Sequence, residues 1–162
     1  MYKRLELHNH TNESDAVFTC KELTDFMVAD HVDAFALTDP NTISGHYKIE
    51  NYLKEHPQSI AFIPGMEYTT YYGHILCLNL TEYVPWENIN KHKPELLFRA
   101  AREKGALVGV AHPYSFGWPF AQGCRFEMTI TDYSCCDFIE IFNNPEPLHE
   151  VNEKGVKLWE NL

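Results

Sequence analysis

Ala106-Leu107-Val108-Gly109-Val110-Ala111, followed at once by His112-Pro113, is the stretch on which the fold turns. An apolar run without polar alternation reads as a strand covered on both faces, the mark of a parallel sheet. A helix is expected just before it, from Pro94 to Lys104, with Gly105 as the residue that ends it. The same unit recurs outward. Asp33 to Leu37 is a short buried strand that runs into Thr38-Asp39, and Lys3 to His8, Ile60 to Ile63, Tyr72 to Leu80 and Phe138 to Phe142 read as further strands. A helix opens at Thr19, where Thr19-Cys20-Lys21-Glu22 has the form of a capping box and Leu23, Phe26 and Met27 form an apolar stripe. Another runs from Ser44 to His56 and stops at Pro57, and a last one carries Leu148, Val151, Gly155, Leu158, Trp159 and Leu162 on one face. Strands alternating with helices argue for α/β architecture with a mostly parallel sheet.

About six strands are visible, whereas a closed eight-stranded barrel takes about 250 residues. At 162 residues the chain is expected to be one domain, an open or partial barrel or a piece of a longer chain. The pattern is still helical at Asn161-Leu162, without a capping signal, which favours the second possibility.

Apolar residues make up 44% of the chain and charged ones 22%, the balance of a globular domain. A formal net charge of −10 with scattered basic residues argues against a nucleic-acid partner, since a phosphate backbone is gripped by clustered Lys and Arg. The five cysteines, Cys20, Cys77, Cys124, Cys135 and Cys136, show no Cys-x-x-Cys spacing. They are expected to be reduced thiols of a cytoplasmic protein, with Cys135-Cys136 as small apolar filling. No signal peptide or membrane-spanning run is apparent.

Polar residues gather at the strand ends. His8 and His10 are two apart at the end of the first strand, a spacing that points both imidazoles to one side. Asp39 follows the second strand, Glu67 the third, His112 closes Val108 to Ala111, and Asn143 closes the last. Parallel α/β folds build their sites at the carboxyl ends of the strands. Imidazoles with a carboxylate suit Zn, Mn or Fe, and Asp15 in the loop after the first strand is a further candidate ligand. His74, near the start of its strand, reads equally as a ligand or as a hydrogen-bonded core histidine. His31, His46, His56, His92 and His149 read as solvated helix or loop residues, Asp25, Glu50, Glu55 and Glu103 as helix surface, and the aromatics from Tyr68 to Tyr72 as core or pocket wall.

In order and rough spacing these residues resemble the PHP (polymerase and histidinol phosphatase) superfamily. The motifs that carry the resemblance are Leu7-His8-Asn9-His10-Thr11, Ser14-Asp15, Ala36-Leu37-Thr38-Asp39, Gly65-Met66-Glu67, His74-Ile75-Leu76, Ala111-His112-Pro113 and Glu140-Ile141-Phe142-Asn143. The resemblance implies a distorted (β/α)7 TIM-like barrel, incomplete in this chain, with metals at its carboxyl-end face. It implies one metal on His8, His10 and Glu67, a second on Glu67, His74 and His112, and a third on Asp15 with two further histidines. This chain departs from the family at Pro40, where the family has histidine after Thr-Asp, and it lacks the closing Asp-x-His motif.

The function so implied is hydrolysis of small phosphoesters by a metal-bound hydroxide at a two-metal site. Asp39 would orient a ligand histidine and Arg125 would clamp phosphate. Hydrolysis of another ester, amide or carbamate on the same site is the alternative within enzymes. A non-catalytic relative of the family, to which Pro40 and the missing motif would point, is the alternative outside them.

Overall fold

The computed structural model describes residues 2–114, 126–143 and 150–162, the side chain of Val151 excepted. The chain divides into two units, Met1–Glu67 with Leu78–Tyr83, and Tyr68–Cys77 with Val84–Leu162.

In the first unit the all-buried strand β2 (Ala34–Leu37) lies between β1 (Leu5–Glu6) and β3 (Ala61–Thr70). Both neighbours are parallel to it, with Leu5 against Ala34 on one side and Ala34 through Leu37 against Ala61 through Pro64 on the other. Helices α1 (Cys20–Ala29) and α2 (His46–Glu55) form the crossovers. The capping box is present: the Glu22 amide donates to the Thr19 hydroxyl at 3.2 Å, and the Thr19 amide donates to the Glu22 carboxylate at 2.9 Å. Helix α1 buries Cys20, Leu23, Thr24 and Met27 against Val32, Phe35, Leu37 and Ile49. Phe26 departs from the expected stripe. It is exposed and stacks on Phe18, while Thr24 takes the inner face because its hydroxyl donates to the Cys20 carbonyl at 2.8 Å.

β1 is shorter than the Lys3 to His8 expected. After Glu6 the side chain of Asn9 takes over the ladder, its amide donating to the carbonyls of Glu6 and Ala36 at 3.0 and 3.1 Å. β3 is longer than Ile60 to Ile63 and runs through Pro64-Gly65, so Glu67 lies inside the strand rather than after it. Proline and glycine read as a stop because proline cannot donate to a ladder. Here the Pro64 carbonyl accepts from the Leu80 amide, and pairing resumes when the Glu67 amide donates to Thr38 at 3.1 Å and its carbonyl accepts from Asn41 at 2.9 Å.

Strand β4 (Gly73–Leu78) follows β3 after only Tyr71-Tyr72, a connection that permits an antiparallel neighbour and no parallel one. In the second unit α3 (Glu95–Glu103) buries Leu97, Phe98 and Ala101, and Gly105 beyond it has the left-handed φ of 85° expected at that place. Strand β5 (Leu107–Ala111) pairs in parallel with β6 (Phe138–Ile139), Gly109 opposite Phe138. A Cβ on Gly109 would lie 2.3 Å from the Phe138 ring, so this strand has room only for glycine there. Helix α4 (Glu150–Glu160) ends before Leu162, the last residue of the face read from Leu148 to Leu162. Leu148 lies outside the described residues, and Trp159 and Leu162 are exposed.

The strands follow one another across a six-stranded sheet, β1-β2-β3-β4-β5-β6. Strands in chain order are the topology of a TIM-type barrel, and six make part of one; helices lie between β1 and β2, β2 and β3, and β4 and β5, whereas β3 runs almost directly into β4. No described helix is long and apolar enough to cross a membrane.

Candidate metal centre

The first unit brings together His8, His10 and Glu67. The two histidines lie just past β1, and Nε2 of His8 stands 3.1 Å from Nε2 of His10. The Glu67 carboxylate presents one oxygen at 3.5 Å from His8 Nε2 and the other at 3.6 Å from His10 Nε2. Its side chain is 2% exposed, against 13% and 23% for the histidines, so the charge is deeply placed while the imidazoles reach solvent. Donors held 2.0–2.1 Å from a tetrahedral ion are about 3.3–3.4 Å apart, and the three separations bracket that figure. Nitrogen and carboxylate donors at this spacing suit a divalent ion of the Zn, Mn or Fe type.

The polar surroundings of His10 set its tautomer. Asp15 lies on the far side of the ring, its carboxylate 2.9 Å from Nδ1. Nδ1–H donating to Asp15 leaves the Nε2 lone pair directed at the donor cluster, the arrangement usual behind a ligand histidine. Asp15 thus stands behind His10 rather than among the converging donors. Asp39 is 1% exposed and serves the loop after β1, not a histidine. It accepts from the Thr11 amide and hydroxyl, both at 2.7 Å, and from the Ser14 hydroxyl, and Ser14 also lies 3.3 Å from Asp15. Pro40 takes part in an isolated parallel bridge with Glu67.

His46 is not the solvated helix residue expected. It is 8% exposed at the start of α2, with Nε2 2.8 Å from the Gly65 carbonyl and 3.2 Å from the Gly65 amide. Burial holds its pKa below the usual histidine value against the pull of the Gly65 and Leu37 backbone.

The second unit brings together His74 on β4 and His112 at the end of β5. Both are buried, and their rings meet edge to face with centroids 5.0 Å apart. His112 has φ of 29°, a left-handed value rare for a residue with a side chain. Its amide donates to the Glu140 carboxylate at 3.0 Å, and the Asn143 amide donates to the other Glu140 oxygen at 3.3 Å. Sequence reading placed Asn143 at a strand end but gave Glu140 no role of its own; its position just past β6 was the available signal. Arg125, His149 and Cys124 lie outside the described residues. Cys20, Cys77, Cys135 and Cys136 are free thiols.

No known family model and no curated protein matches the chain. Solved structures do. A two-domain protein from Bacteroides vulgatus containing a predicted PHP-like metal-dependent phosphoesterase superposes with a TM-score of 0.66 at 21% identity, over 86% of this chain and 44% of that one. A protein from Bifidobacterium adolescentis assigned as a metal-dependent phosphoesterase superposes with a TM-score of 0.65 at 12% identity, over 99% of this chain and 84% of that one. The chain has the fold of these PHP-like proteins and spans less than half the length of the first.

Proposed function

We propose that this chain is a PHP-type metal-dependent phosphoesterase acting on small phosphoesters. The observation that carries the reading is the convergence of His8 Nε2, His10 Nε2 and the buried Glu67 carboxylate at the spacing of ligands round one ion. Glu67 supplies negative charge where water is scarce, and such a charge is stable only when paired. Asp15 keeps the His10 lone pair on the cluster, and Asp39 holds the loop from which Asp15 projects. A divalent ion held there by His8, His10 and Glu67 would contribute Lewis acidity toward a phosphoryl oxygen and would acidify water at neutral pH. The finer reading has a second ion on His74 and His112 with Glu67 shared, and it rests on the sequence resemblance. A small phosphoester suits the net charge of −10 better than a nucleic acid does.

The test is the metal content of the purified chain by plasma mass spectrometry, with hydrolysis of p-nitrophenyl phosphate. The wild type should hold Zn, Mn or Fe and recover it after chelation. His8→Ala with His10→Ala should lose about one equivalent and reduce hydrolysis about a hundredfold or more, beyond the loss usual for outer-shell changes. Unchanged metal and turnover in that double variant would sink the proposal.

A further inference from the structure

β3 reaches Glu67 across an interruption. Its pairing with β2 ends at Leu37 opposite Pro64, and the next link to that side is the bridge between Pro40 and Glu67. The peptide of Gly65 lies in the gap. What meets it is the imidazole of His46, 2.8 Å from the carbonyl oxygen and 3.2 Å from the amide nitrogen. The ring is 8% exposed, touches Phe62 edge-on at 6.0 Å between centroids, and projects from the first turn of α2. Gly45, which precedes it, is packed so closely that a Cβ there would lie 2.5 Å from Leu37 and 3.1 Å from Cys20, so the start of α2 has little freedom to move.

We infer that His46 is a positioning residue for the metal centre, standing in for a strand partner at Gly65 so that Glu67, two residues on, faces His8 and His10. The inference rests on the metal reading above. Without the ring the Gly65 peptide is a buried polar group with one partner fewer, and the strand is free to re-pair or swing at the residue that sets the direction of Glu67. Burial lowers the pKa of the ring against the pull of the Gly65 and Leu37 backbone, which favours the neutral form, a hydrogen-bonding group rather than a charge. Phe62 packs on the ring edge-on, and the charged groups that act on it are Glu50 and Asp39.

The experiment is Mn²⁺ binding to the full chain by titration calorimetry, alongside the melting temperature, for the wild type, His46→Leu, His46→Gln, Leu23→Ala and His8→Ala. Leu23 belongs to the buried apolar cluster against which Phe62 packs, so Leu23→Ala should lower the melting temperature and leave affinity alone. His46→Leu should weaken Mn²⁺ binding tenfold or more, the scale of outer-shell changes, beyond anything its melting temperature explains. His46→Gln, whose amide nitrogen is the same number of bonds from Cβ as Nε2, should recover affinity to within about threefold of the wild type. Full affinity in His46→Leu, or no rescue by His46→Gln when both are folded, overturns the positioning role while the metal reading stands. Absence of Mn²⁺ binding in the wild type, or binding indifferent to His8→Ala, overturns both.

Discussion

The two histidine pairs are held by different means. His8 and His10 sit two apart beside a two-residue strand, partly open to solvent, and a carboxylate behind the ring orients His10. His74 and His112 come from separate strands and are buried, and His112 reaches its place through a left-handed backbone whose amide is tied down by Glu140. The first pair is organised through side chains and the second through main chain. Left-handed φ at a non-glycine residue costs of order 1–3 kcal/mol and persists only where surrounding bonds hold it. The second pair therefore depends on its supports for the conformation itself, whereas the first depends on its supports for ring orientation.

That contrast explains what could be read from sequence. Two histidines at i and i+2 near a strand end announce themselves, because strand periodicity is regular. His112 was legible as a candidate because it ends an apolar run, but neither its φ nor the role of Glu140 is encoded in any local pattern. Glu67 was placed after its strand because Pro64-Gly65 looks like a terminator, and the partners that let the strand continue, His46 and Leu80, are distant in sequence. His46 escapes a local reading for the same reason: the polar residues after it suggest a helix surface, while Gly65 and Phe62, which pack against it, are distant in sequence. The order of the described strands and α-helices was legible, the short 3-10 turn Tyr133–Cys135 was not, and an end moved where a side chain replaced a ladder bond, as Asn9 does after β1.

The largest expected effect separates scaffold from centre in the first unit. Asp39→Ala leaves the buried Thr11 amide and hydroxyl without their acceptor. At about 1–3 kcal/mol for each orphaned donor, it should cost about 2–6 kcal/mol, a fall in melting temperature of roughly 4–24 °C. Urea unfolding checks it, and a variant as stable as the wild type would show that the loop after β1 does not need its buried anchor.

The second unit has its own counterpart. Glu140→Ala takes the acceptor from the His112 amide, at an expected cost of about 1–3 kcal/mol. Glu140→Gln keeps a carbonyl oxygen at the same reach and should lose less than half as much. If the two variants melt together, the main-chain bond is not what sustains the left-handed conformation at His112, and the contrast between the pairs is broken.

The smallest effect on stability is the sharpest probe of the first pair. The Asp15 side chain is 66% exposed, so Asp15→Asn should move the melting temperature by no more than about 2 °C, because ion pairs at such sites contribute little. Its effect on Mn²⁺ affinity is expected to be about tenfold, since the amide can still accept from His10 Nδ1–H but no longer as an anion that strengthens the imidazole as a donor. Asp15→Ala, which removes the acceptor altogether, should go further. A loss of a whole metal equivalent in Asp15→Asn would instead make Asp15 a ligand in its own right, as the sequence resemblance implies for a third metal. Because the carboxylate lies on Nδ1 and the cluster on Nε2, one side chain cannot give both results, and the metal count decides between them.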